Sequence, residues 1–102
     1  MSGKAMGWAS ADAIRSGIRC TLPFKRRVRT AFELRCQYCG APEPSNPTLS
    51  QLMTVDRVQP GSGGGRYVPS NVTLACRSCN SKKRDREFVG PVRTLSNMEI
   101  AP

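Results

Sequence analysis

Near the start of the chain, apolar residues recur at helical spacing in two places. Ser10 is placed to cap a short helix carrying Ala11, Ile14 and Ile18. Pro23 suits the first turn of a second helix, in which Phe24, Val28, Ala31, Phe32 and Leu34 form an apolar side beside Lys25, Arg26, Arg27 and Arg29. The spacing predicts that this helix runs from about Pro23 to Leu34 and delivers the chain to Cys36. Three prolines and several polar turn formers in APEPSNPTLS make residues 41–50 a loop. LMTVDRV, from Leu52 to Val58, then reads as a strand, and Asn71 to Ala75 as a second one. Between them, Pro60 to Pro69 contains GSGGG, four glycines in five positions, which weakens any regular element. The two strands are expected to form a hairpin with a long, flexible tip. After Cys76, RSCNSKKRDREF meets no breaker before Gly90 and predicts a short, strongly basic helix. The closing PVRTLSNMEIAP shows little pattern. The chain thus divides into a weakly structured leader (1–21), one α+β domain (22–90) and a C-terminal tail (91–102).

At 102 residues, a hydrophobic core alone gives modest stability, so a metal staple or a partner is expected to help. Sixteen Lys and Arg against seven Asp and Glu give a net charge of +9, which predicts attraction to polyanions, nucleic acid first. No stretch approaches the roughly 18 to 20 apolar residues that a membrane span needs, so no membrane partner is expected. The first residues, MSGKAMGWASADAIRSG, lack the continuous apolar core of a secretory signal, and the chain reads as cytosolic. There is no histidine. Ser-His-Asp triads, Cys-His nucleophile pairs, His-ligated zinc and the His-x-Glu zinc deaminases are therefore excluded.

Cys36 and Cys39 form C-Q-Y-C-G, and Cys76 and Cys79 form C-R-S-C-N. Two Cys-x-x-Cys pairs mark a tetrahedral four-thiolate zinc site, because each short knuckle aims two sulfurs at one ion. Disulfides need an oxidising compartment, and five cysteines leave one unpaired. The odd one, Cys20, reads as a partly buried small side chain. Iron in a rubredoxin-like site is disfavoured, since rubredoxins are acidic and aromatic-rich whereas this chain is basic. The 36 residues between Cys39 and Cys76 exceed the gap of a simple zinc ribbon, about 15 to 20. The expected hairpin is inserted there.

Read together, ELRCQYCG, TVDRVQPGSGGG and NVTLACRSCNSKK closely resemble the HNH endonuclease family, also called ββα-metal or His-Me finger nucleases, over about Phe24 to Arg86. The resemblance implies a small zinc-stapled ββα-metal domain of the α+β class with an N-terminal helical extension. It implies Asp56 as the carboxylate ligand of a catalytic divalent ion, Mg²⁺ or Mn²⁺, and Asn80 as its second protein ligand. Asn71 matches the middle Asn that fixes the loop holding the base. A hard cation suits such oxygen ligands, and zinc on the four cysteines would be structural. The departure is Arg57, which stands where the family carries its general-base His. A guanidinium offers no lone pair at neutral pH and takes no proton from water. Three readings follow: metal-ionised water attacks without a base, another group such as Tyr67 substitutes, or the domain binds DNA without cutting it. V-D-R-V-x-P-G also resembles small phage-type members that carry Arg here, and Arg57 then holds phosphate or offsets transition-state charge. The resemblance further implies duplex DNA as partner and a bacterial or phage-infected cytoplasm; protein partners are left unassigned, with phage packaging or mobile-element machinery as candidates.

Each of these residues also has a plainer role. Asp56 alone is an ordinary strand-end turn residue, and Asn80 caps the last helix. Arg77, Lys82, Lys83, Arg84 and Arg86 form either a solvated helix face or, with Lys25, Arg26, Arg27 and Arg29, a surface that neutralises several phosphates with steep salt dependence. Trp8, Phe24, Phe32 and Phe88 give no recognisable stacking platform for single strands. GSGGG lacks the Gly-Lys-Ser/Thr ending of a P-loop. The leading expectation is a divalent-metal-dependent DNA endonuclease. The alternatives are a catalytically impaired, zinc-stabilised DNA-binding module and, third, a zinc ribbon for protein interaction.

Overall fold

Thr21 starts the first helix: its hydroxyl accepts a hydrogen bond from the Phe24 N–H (3.3 Å), with Pro23 in the first turn. The computed structural model describes residues 19–83 and 90–99. The helix expected around Ser10 to Ile18, Trp8, Phe88, Arg84 and Arg86 lie outside the described residues.

Helix α1 spans Leu22–Ala31, so it stops three residues before the expected Leu34. Glu33 and Leu34 take left-handed backbone (φ 53° and 54°), and their N–H groups return to the carbonyls of Thr30 and Arg29. Such a turn satisfies the last carbonyls of a helix, usually with Gly; here two side-chain-bearing residues adopt it. It reverses the chain, so that Glu43 N–H bonds Leu34 C=O and Arg35 bridges Pro42. Phe32 and Cys36 stay buried on the same core as Val28.

The hairpin is the centre of the fold. Strands β1 (Met53–Arg57) and β2 (Val72–Cys76) pair antiparallel from Met53↔Cys76 to Arg57↔Val72, with Asp56 opposite Thr73. All five β2 residues are buried, because α1 covers the hairpin and the first cysteine turn closes the far edge through a Gln37 N–H bond to Leu74 C=O. At the start of β1, Glu43 accepts the Met53 N–H (2.8 Å) while Arg29 donates to Met53 C=O (2.8 Å), and the two side chains pair at 3.0 Å. This clamp occupies polar groups that an edge strand would otherwise expose.

Helix α2 (Arg77–Lys83) follows β2 without a linker. The C-terminal stretch, patternless in sequence, holds a one-turn helix α3 (Leu95–Met98) with a Thr94/Asn97 capping box. Leu95 is fully buried in the core, and buried Thr73 donates to Arg93 C=O (2.7 Å). A single turn is too short to display helical periodicity, which is why the pattern misses it.

Candidate metal centre and active site

The two cysteine turns meet at the end of the hairpin. Cys36 follows the reversal after α1, Cys76 ends β2, and the Sγ atoms of Cys36, Cys39, Cys76 and Cys79 all lie within 4.8 Å of one another. The Cys39–Cys76 separation is 3.9 Å. A zinc ion with bonds of about 2.3 Å sets tetrahedral sulfurs about 3.8 Å apart, whereas a disulfide needs about 2.05 Å. Each turn has the same internal geometry: Cys39 N–H donates to Cys36 Sγ and Cys79 N–H to Cys76 Sγ, both at 3.5 Å. Burial pushes the Cys36 thiol up, but backbone N–H groups around its sulfur pull it down to about 7. Burial and the neighbouring sulfurs push Cys79 well above the ordinary thiol range. Four thiolates this close repel one another, and a dication in their midst removes the conflict. The cluster fits a zinc site. Cys20, half-buried beside α1, is not part of it.

A second, oxygen-lined centre sits on the hairpin face toward α2. Val55, Asp56, Arg57, Pro60, Tyr67, Asn80 and Lys83 line a polar cleft of about 110 Å³. Asp56 is 5% exposed. Its Oδ2 accepts from the Tyr38 hydroxyl, and Lys83 Nζ lies 3.5 Å from its Oδ1. Burial raises the Asp56 carboxyl above its ordinary range, against the Tyr38 hydrogen bond and the Lys83 charge. Tyr38 and Lys83 thus supply the partners that a buried carboxylate needs. Burial, then the bond to Asp56, pushes the Tyr38 phenol far up, so it stays protonated and donates.

Asn80 is oriented by a chain of hydrogen bonds. Thr54 Oγ1 uses its one proton on Ala75 C=O (3.0 Å), so it faces Asn80 only as an acceptor and takes Nδ2–H at 2.9 Å. The amide is thereby fixed with its oxygen directed away from Thr54, in a residue that lines the cleft. Sequence and structure thus bring Asp56 and Asn80 to one cleft.

Asn71 lies beside this cleft, not in its lining, and organises the glycine loop. Its Oδ1 accepts from Gln59 N–H (2.9 Å), and its Nδ2 donates to Gln59 C=O (3.0 Å) and Arg66 C=O (2.9 Å). A Cβ on Gly65 would fall 1.6 Å from Gln59 O, so only glycine allows this closure. The expected flexible tip is therefore a hydrogen-bonded turn, with Gly63, Gly64 and Gly65 N–H groups all returning to Pro60 or Gly61 carbonyls. Arg57 packs beneath it: its guanidinium lies 4.4 Å from the Tyr67 ring centroid and against the bare Cα of Gly61.

The basic residues separate into groups that a charge run does not reveal. Lys25, Arg26, Arg77 and Lys82 are exposed. Arg27 is exposed but pairs with Glu99, while Arg29 is given over to Glu43 and Met53. Lys83 is turned inward, its Nζ bonding Arg57 C=O at 2.8 Å. Tyr38 and Thr54 are site residues that the sequence reading does not single out, and it places Lys83 on the basic DNA-facing surface instead of in the cleft. Tyr38 sits inside the first Cys-x-x-Cys, which is the one signal that marks it.

A sequence model described as HNH endonuclease matches residues 36–86. No curated protein matches the chain.

Proposed function

This chain belongs to the HNH endonuclease family, and we propose that it hydrolyses DNA phosphodiester bonds, nicking or cutting duplex DNA, at the cleft between Asp56 and Asn80. The observation that carries the reading is a buried carboxylate and an amide whose nitrogen is tied to Thr54, both in the lining of one polar cleft. HNH nucleases act on DNA, and the charge of +9 suits that polyanion. Among the described residues no helix is long and apolar enough to cross a membrane.

Within this proposal Asp56 and Asn80 would hold a hard dication, Mg²⁺ or Mn²⁺, which oxygen ligands suit. When bound, that ion offsets charge on the scissile phosphate and the leaving oxygen. Tyr38 and Thr54 hold the two ligands in place, and the zinc-bound cysteines hold Tyr38. Asn71 fixes the loop over Arg57. Lys83 balances Asp56 and faces the same cleft as the phosphate. Arg57 contributes permanent positive charge to phosphate oxygens and no proton acceptor. With no imidazole in the chain, the proton of the attacking water passes to solvent or to a substrate oxygen. Supercoiled plasmid incubated with zinc-loaded protein and Mg²⁺ is expected to become nicked. Tight, salt-sensitive binding to intact plasmid would assign a DNA-binding module instead, a second reading favoured by the stacking of Arg57 on Tyr67.

Two variants test the roles. Tyr38→Phe is expected to weaken Mn²⁺ binding and nicking by about 10- to 100-fold, the usual scale for a group that orients a metal ligand, with zinc content and melting unchanged. Unchanged Mn²⁺ affinity, read by titration calorimetry, would remove Tyr38 from the site. Arg57→His is expected to slow nicking by roughly 10- to 150-fold, since a charge-assisted hydrogen bond is worth about 1.5–3 kcal/mol. A faster variant would identify residue 57 as a base position filled at a cost.

A further inference from the structure

Beside the small polar cleft lies a wider one of about 740 Å³, whose lining includes Arg19, Lys25, Arg26 and Arg29 on the α1 side and Val55 and Tyr67 on the hairpin side. Val55 and Tyr67 line both clefts, so the two are neighbours that share a wall. Among the described residues no carboxylate lines the wider one. Arg29 is engaged by Glu43 and Met53 C=O, while Lys25 and Arg26, one turn ahead of it on α1, are exposed. These two residues, with Arg19, precede the segment 36–86 that the family model matches. A cation-lined groove beside the Asp56–Asn80 cleft has the charge to take the next phosphates of a strand cut there.

We propose that this cleft binds the phosphodiester backbone of the DNA strand flanking the scissile phosphate, with Lys25 and Arg26 each neutralising one phosphate. This rests on the nuclease reading of the adjoining site. It makes the contact one-sided: the strand is gripped on the α1 side of the cut and guided past Tyr67 to Asp56 and Asn80. Arg77 and Lys82 border a separate depression beside Thr48 and Leu49 and take no part in this path.

The test compares two double variants that remove equal charge, Lys25→Ala/Arg26→Ala and Arg77→Ala/Lys82→Ala. Each is assayed as full-length, zinc-loaded protein by fluorescence anisotropy on a labelled DNA duplex across a salt series without Mg²⁺. The first pair is expected to lower the slope of log Kd against log salt by about 1.8, at about 0.9 per lost phosphate contact, and to weaken binding at least tenfold near 0.1 M salt. The second is expected to change the slope by less than half as much. Both pairs are exposed, and unchanged melting temperatures certify that each variant folds. Equal weakening by the two pairs, with wild-type binding intact, would overturn the cleft assignment and leave the nuclease reading standing. No salt-dependent binding by the wild type would overturn both.

Discussion

Replacing Cys76 by serine is expected to abolish the cooperative thermal melt of the domain. Cys76 ends β2, pairs with Met53 across the hairpin and brings its sulfur to 3.9 Å from Cys39. Among the described residues nine apolar side chains are buried, and Cys36 and Cys76 are two of them, so the cluster is part of the core. Net stabilities of small domains are about 5–15 kcal/mol. Structural zinc on such ligands contributes about 10–16 kcal/mol of apparent folding free energy. Removing a thiolate therefore removes more than the remaining core supplies. Circular dichroism melts of the variant, and of the wild type treated with a strong zinc chelator, should both lose cooperativity. A sharp melt retained in either would contradict a four-thiolate structural site.

Asp56→Ala is expected to leave that melt in place and to reduce nicking by roughly a thousandfold or more. Metal assistance is worth several kcal/mol in the transition state, and each ~1.4 kcal/mol is tenfold in rate. The fold should tolerate the change because Lys83 keeps its hydrogen bond to Arg57 C=O and the four-cysteine cluster is untouched. Taking the carboxylate away relieves its desolvation by burial while leaving Tyr38 and Lys83 with one partner fewer. The variant should keep full zinc content and lose Mn²⁺ binding. Loss of zinc or of the melt together with activity would mean that Asp56 is structural.

How much of this was legible in the sequence depends on the range over which each signal acts. The two cysteine pairs were readable because their spacing is local, and the 36-residue interval forced an insert between them. Asp56, Asn71 and Asn80 were singled out by resemblance, and Asp56 and Asn80 do line one cleft. What escaped depends on contacts across the fold. Tyr38 reaches Asp56 over 18 residues of chain, and Thr54 orients Asn80 over 26. Composition describes Lys83 and Arg29 as members of basic runs. Only the packing of α2 and α1 on the hairpin shows that both turn inward. The helix end at Ala31 was misplaced because Glu33 and Leu34 adopt a left-handed turn usually given to glycine, which no residue type there announces. Leu95 is buried from a single turn of helix, too short for any period.

The central claim is that the Asp56–Asn80 cleft cuts DNA although residue 57 is arginine. Its most direct test is conversion of supercoiled plasmid to the nicked form by zinc-loaded protein in Mn²⁺, run against a metal-stripped control and against Asp56→Ala. Nicking that requires the divalent ion and disappears in the variant is the predicted result. Nicking that persists in Asp56→Ala, or plasmid left intact by the wild type while bound to it, would contradict the claim.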